Sequence, residues 1–298
     1  MARARRYAPD VLARMLALLC VLLATGSCEE PPASAPSRLA VVATVYPLAD
    51  IARTIGGSRV DVQWWIESGQ FVATYQPSPS QIEALRRAAI VVSGGVGELY
   101  ATEEFAGEPG GRRLIRLDSL IDPQERVPAL WLDPTLARAS ADALAERLSA
   151  MDLAHAPDYR AAADRFRRDL DDLTREFDSA LVGLIGKNVG CVGNDYSALA
   201  RPFGFQTVQL HDSPVVVLDS AALSHVARKV VENACVLVLI EADTPPAVVK
   251  QVQASMPVPV VTIDSLGSCA TPSRDTYLEL MRFNYQQLQD GWRRATGF

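Results

Sequence analysis

The feature that most constrains this chain is one long amphipathic segment set between two stretches of strand–helix alternation. From residue 158 to about 184, Tyr159, Ala163, Phe166, Leu170, Leu173, Phe177 and Leu181 recur at three- or four-residue steps, with charged residues between them. That period places one apolar stripe on a single helix, and at ~1.5 Å per residue such a helix reaches about 40 Å. It is long enough to act as a spine joining two lobes.

The flanking stretches tell the same story. Residues 38–45, 60–66, 89–93 and 113–117 read as strands, with helices expected at 48–55, 80–87 and 135–151. Ser80 and Glu83 stand at capping-box spacing. After Gly186, strands at 188–192, 206–210, 236–240 and 258–263 alternate with helices at 197–200, 220–231, 246–255 and 273–296. Alternation of this kind implies parallel pairing. The expected fold is α/β: two lobes, each a small parallel sheet flanked by helices, joined by one long backbone helix. The expected divisions are a leader over 1–27, a tether over 28–37, a first lobe over 38–156, the linking helix over 157–185 and a second lobe over 186–298. The chain's 298 residues suffice for two such cores. No internal repeat at fixed period suggests a solenoid.

The start of the chain has a different character. Arg3, Arg5 and Arg6 precede an apolar run over 15–24 and the small residues Thr25-Gly26-Ser27 before Cys28. A basic start, a short apolar core and small residues describe a secretory leader, and the run falls short of the ~20 apolar residues a spanning helix needs. The stretch before Cys28 resembles a bacterial lipobox, with Thr25 where leucine is usual. That resemblance implies lipidation at Cys28 and a place in the periplasm or on the outer face of a bacterial membrane. An ordinary cleaved leader or an uncleaved anchor is the alternative. Residues 29–37, rich in Pro, Ala and Ser, read as a flexible tether. Cys191, Cys235 and Cys269 remain in the body, and an oxidising compartment permits one disulfide among them without fixing the pair. The net charge of −6 and pI near 5.2 give no sign of a nucleic-acid partner, and none is expected.

Short motifs in order along the chain then narrow the reading. They are Tyr46-Pro47, Gly69 followed by Tyr75-Gln76-Pro77-Ser78-Pro79, Gly95 and Glu98, Trp131-Leu132-Asp133-Pro134, Ile263-Asp264-Ser265-Leu266-Gly267, and Thr276-Tyr277-Leu278 with Met281 and Asn284. Together they resemble the zinc- and manganese-binding periplasmic proteins of ABC importers over roughly residues 38–292. The resemblance implies a solute-binding lipoprotein, with a permease and an ATPase as partners and a divalent metal as ligand. Its four metal ligands would fall on Ala73, Ala129, Gly193 and Asp264, the third position being open to a slip onto Asn194 or Asp195. Alanine and glycine carry no donor, and zinc wants nitrogen, sulfur or carboxylate oxygen at ~2.0–2.3 Å. Only Asp264 keeps a ligand at a family position. The three histidines of the chain, His155, His211 and His225, lie outside these loops.

Other groups near strand ends are candidates for a rebuilt or altered site: Asn194, Asp195, Glu241 and Cys269, where ligands gather in parallel sheets. The plainer expectation is that Asp195 and Glu241 cap helices and that Cys269 is a disulfide partner or an inert thiol. His211 is expected in a surface turn. Tyr75 and Trp131 are candidates to line an apolar pocket for a metal chelate or small organic ligand, while one of Trp64 and Trp65 belongs in the core. The chain has no G-x-S-x-G, P-loop or H-E-x-x-H motif, and Ser93-Gly94-Gly95-Val96-Gly97 lacks the third glycine of a dinucleotide fingerprint, so no enzyme is expected. The leading expectation is an importer's solute receptor with a degenerate metal site. The alternative is a structural or partner-binding lipoprotein on the same scaffold.

Overall fold

The computed structural model describes residues 38–67, 69–70, 72, 75–95 and 113–297. The leader, Cys28, the tether, Ala73 and Glu98 lie outside the described residues. Residues 38–298 group as one compact unit.

The first sheet contains β1 (Leu39–Val45), β2 (Val60–Ile66), β3 (Ile90–Ser93) and β4 (Leu114–Arg116) in the order β2-β1-β3-β4, with every pairing parallel. The second contains β5 (Asn188–Val192), β6 (Gln206–His211), β7 (Cys235–Glu241) and β8 (Val260–Ile263), again all parallel, in the order β6-β5-β7-β8. The two sheets therefore share one winding, although their sequences show no repeat. In each, the order reverses between the first and third strands, which opens a crevice beyond the strands' carboxyl ends.

Helices cover the sheets: α1 (Tyr46–Gly56), α2 (Pro79–Arg87) and α3 (Pro134–Met151) before the spine, and α5 (Ser197–Ala200), α6 (Ser220–Glu232), α7 (Pro246–Ser255) and α8 (Tyr277–Thr296) after it. The spine is α4, Ala156–Leu181, 26 residues long. All seven apolar residues of the sequence stripe are buried along it, together with Ala156 and Ala162. It begins two residues earlier than the pattern predicts, with Pro157 in its first turn, where a missing N–H costs nothing.

Other helix starts also differ from expectation: α1 opens at Tyr46 rather than at 48, and α3 at Pro134 rather than at 135, each with proline in its first turn. α2 opens one residue earlier, at Pro79, with Ser78 instead of Ser80 as N-cap and Gln81 completing the capping box, because Pro79 suits the first helical position. α8 starts at Tyr277 rather than at 273, since Ser273 lies at φ 72°, a left-handed conformation that a helix excludes. Thr276 caps it by accepting from Glu279 N.

One apolar core runs from β1 through α1, α3 and α4 to Val189, Leu237 and Leu239 of the second sheet and to Met281 and Tyr285 of α8. A second, smaller core covers the sheet's other face and takes Val238 and Ile240. The alternation along β7 divides its side chains between the two. Trp65 is buried and Trp64 packs edge-on to Tyr46 with ring centroids 5.3 Å apart.

Candidate functional site

The C-terminal ends of β5, β7 and β8 converge at the point where the second sheet's order reverses. Glu241, the last residue of β7, places its carboxylate among four donors. Oε2 accepts from Asn194 Nδ2 at 2.6 Å and from Tyr196 OH at 2.8 Å. Oε1 accepts from Ser265 N at 2.8 Å and Ser265 Oγ at 3.0 Å. Burial pushes the Glu241 carboxyl up to about 7, and the nearby Asp264 charge adds to the rise, against the lowering effect of these donors. Burial, and then the Glu241 charge, drive the Tyr196 phenol well above its ordinary range. Glu241 is thus a partly buried hub and not the helix cap expected of it.

Asp264 follows β8 directly. Its Oδ1 accepts from Leu266 N at 3.0 Å and Gly267 N at 2.7 Å, and its Oδ2 accepts from Arg274 Nη1 at 2.8 Å. The carboxylate side chain is 4% exposed and the arginine 22%. The guanidinium also stands 4.9 Å from the ring centroid of Phe283. Asn284 of α8 clamps the backbone on either side, accepting from Asp264 N at 2.9 Å and donating to Asp264 O at 2.8 Å. The sequence reading did not single out Arg274; it lies ten residues on, in a polar stretch of ordinary loop composition.

Gly193, immediately after β5, adopts φ 89°. A Cβ at that position would sit 3.0 Å from the Pro214 Cα, so both backbone and space favour glycine. Ala129 is also left-handed, at φ 53° and ψ 40°, and caps the short turn at Leu130–Leu132. Asp195 accepts from Ser197 N at 2.8 Å and bonds Ser197 Oγ, holding the entry to α5.

Trp131 is 2% exposed and belongs to the core. Its Nε1 donates to Ser265 O at 2.6 Å, and its carbonyl accepts from Tyr277 OH at 2.8 Å. It pins the first lobe's loop to the second lobe's loop instead of lining a pocket. Tyr75 is half-buried, and its hydroxyl accepts from Gln81 Nε2 at 2.6 Å. Three further bonds join the lobes: Tyr46 OH to Asp275 O at 2.6 Å, Tyr277 N to Asp50 Oδ2 at 2.7 Å, and Arg201 to Asp133 at 3.5 Å.

A cavity of about 130 Å³ opens between the lobes beside Glu241. Its polar wall is formed by Asn194, Glu241, Asp243, Thr244 and Ser265, and Gly69 and Gln70 approach from the first lobe. Val192, Pro214, Val215 and Leu266 form its apolar side. Tyr75, Trp131, Asp195 and Asp264 are not among the described residues that line it. Among the described residues, no group of three or more His, Cys, Asp or Glu side chains is placed to hold a metal. His155 Nδ1 is 2.8 Å from Asp152, His211 Nδ1 accepts from Ser213 N at 3.0 Å in a turn, and His225 lies 2.7 Å from Arg228 on exposed α6. Cys191 and Cys235 are buried free thiols, and Cys269 is an exposed one.

The family model described as ZnuA, zinc-uptake complex component A, periplasmic, matches residues 41–291. The chain belongs to the ZnuA family. Among curated proteins, a ZnuA-family relative is the high-affinity zinc uptake system protein ZnuA of Paracoccus denitrificans, 29% identical over 167 residues; these are 55% of this chain and about half, 51%, of that protein. The manganese ABC transporter substrate-binding lipoprotein PsaA of Streptococcus anginosus is 20% identical over 94% of this chain and 98% of its own. Among solved structures, the periplasmic zinc-binding protein TroA of Treponema pallidum superposes with a TM-score of 0.71 at 19% identity, covering 86% of this chain and 99% of TroA. That likeness gives the ZnuA-family chain the two-lobed fold with a connecting helix. Importer receptors are solute-binding proteins by family, not enzymes.

Proposed function

We propose that this chain is the solute-binding component of an ABC importer, held outside the cytoplasm by a lipid on Cys28, and that its cleft takes a solute other than free zinc or manganese. The family assignment and the strand-end cleft support the receptor role, and with it a permease and an ATPase as partners. One observation carries the departure from zinc: the acidic residue at the remaining family ligand position is already satisfied by Arg274 and two backbone N–H groups. A metal there would have to share a buried carboxylate with a guanidinium already in place, whose positive charge opposes a second cation. Ala129 and Ala73 bring no donor, and Gly193 has no room for one.

The test is direct. The full chain is purified in detergent without added metal, its metal content is measured, and its melting is followed with Zn²⁺, Mn²⁺, Fe²⁺ and Cu⁺. A metal that binds the native state raises the melting temperature by mass action. The expected result is no stoichiometric metal and no shift at micromolar metal. One equivalent of zinc, lost in Asp264→Ala, refutes the reading.

A further inference from the structure

The cleft beside Glu241 has the makings of a binding site that owes nothing to the metal positions. Thr244 is 7% exposed, yet its hydroxyl makes no hydrogen bond with any described residue. It opens on the cavity. A hydroxyl that meets only the cavity is free to bond to whatever fills it, water or a solute. Next to it, Asp243 presents a carboxylate to the same space and forms no ion pair with a described residue. Asn194 donates its amide N–H groups to Glu241 and Ser265, which leaves its carbonyl oxygen as an acceptor at the wall. No lysine, arginine or histidine is among the described residues lining the cavity.

The opposite wall, Val192, Pro214, Val215 and Leu266, offers only apolar surface to an occupant. Gln70 closes over from the first lobe, and Gly69 comes so near that a Cβ on it would be 3.2 Å from Asp243 Oδ2. A cleft occupant would thus touch both lobes, as ligands of two-lobed proteins do. The volume of about 130 Å³ is far below the ~300–1,000 Å³ of pockets for larger organic ligands, so the occupant is small.

We propose that this cavity binds a compact organic ammonium ion, its charged nitrogen held by Asp243 and Thr244 and its short apolar body laid against Val192, Pro214, Val215 and Leu266. An ammonium supplies three donors to a wall that offers acceptors, and its charge complements the exposed Asp243 carboxylate, which forms no ion pair with a described residue. An anion would meet Asp243 and Glu241 with no cation lining the wall. A neutral molecule of the same shape would displace water beside the Asp243 carboxylate without answering its charge. The assignment rests on the receptor reading above and names the solute class for that cleft.

The experiment uses calorimetry and thermal melting on the full chain in detergent. The probes are n-propylammonium, n-butylammonium and 1,4-diammoniobutane, with n-butanol and butyrate as neutral and anionic matches and zinc chloride as a separate arm. At least one ammonium ion is expected to bind one to one and raise the melting temperature, while butanol and butyrate do not. Asp243→Asn and the isosteric Thr244→Val are each expected to weaken binding by at least about tenfold, with Thr244→Ser retaining it. Unchanged melting of unliganded Thr244→Val shows that its fold is intact. No ammonium binding, equal binding of butanol or butyrate, or wild-type affinity in both variants overturns the assignment. The zinc arm is independent: zinc binding lost in Asp264→Ala defeats the receptor reading's departure from metal, whereas silence of both zinc and ammonium defeats only the ammonium site.

Discussion

Arg274 and Glu241 show what single residues contribute to this cleft. Replacing Arg274 by glutamine strands a buried carboxylate on Asp264, and the expected loss is about 3 kcal/mol, read as a lower urea midpoint. Smaller loss in Arg274→Gln combined with Asp264→Asn than in Arg274→Gln alone would show that the unpaired charge is the cause. Glu241 acts through protonation. Its carboxyl titrates near its ordinary 4.5 in the unfolded chain and near 7 in the fold, so the folded state favours the acid form. The resulting stabilisation is fully present below 4.5 and is lost as pH rises through 7. The stability of the wild type relative to Glu241→Gln should therefore fall across that window, by on the order of 2–3 kcal/mol, in denaturation curves at matched pH values. A flat difference would show that the carboxyl is not held in its acid form. Little of this was legible beforehand. Asp264 stood out by its motif and Glu241 by its place at a strand end, but the partners that decide their chemistry, Asn194, Tyr196 and Ser265, are 24 to 47 residues from Glu241 in the chain. Asp243 and Thr244 carried a faint signal, as polar residues just past the end of β7. Trp131 looked like a cleft residue because its motif borders a ligand position, yet its size and its bond to Ser265 O put it in the core.

Whole elements were far easier to anticipate. The stripe on α4 needs only a 3.6-residue period to be recognised, and the buried runs of β1, β3 and β7 stand out as continuous Val, Ile, Leu and Ala. Helix ends were missed where proline or a left-handed residue set the boundary, at Pro79 and Ser273, since spacing alone cannot weigh a capping box against its neighbour two residues away. Leu170 lies midway along α4 and is fully buried. Leu170→Ala should cost about 2–5 kcal/mol, measured by urea unfolding, because the cavity it leaves sits in the core shared by both sheets. A loss near zero would mean that the helix is not packed as described. The turn after β5 is just as demanding: Gly193→Ala combines a left-handed backbone with a contact at 3.0 Å, and a loss of more than about 1 kcal/mol is expected by the same measurement.

Across the molecule, the core that runs from β1 through α4 to α8 predicts joint behaviour of the two sheets. Tryptophan fluorescence, reporting chiefly Trp64, Trp65 and Trp131 of the first lobe, and far-UV circular dichroism, reporting both lobes, should trace one coincident urea transition. Two separated transitions would show that the lobes unfold independently. The bonds of Trp131 and Tyr277 across the lobes favour the single transition. Gly193 carries a consequence of a different kind, for anyone wishing to build a zinc centre at the proposed ligand positions. Histidine is comparatively at ease in the left-handed conformation that Ala129 holds, so one imidazole is readily grafted. At Gly193 a graft would collide with Pro214, and at Asp264 the newcomer would contend with a guanidinium already in place. On the ligand alignment proposed above, histidines at Ala73 and Ala129 alone would leave such a centre half made: a loop must be reshaped as well as side chains exchanged.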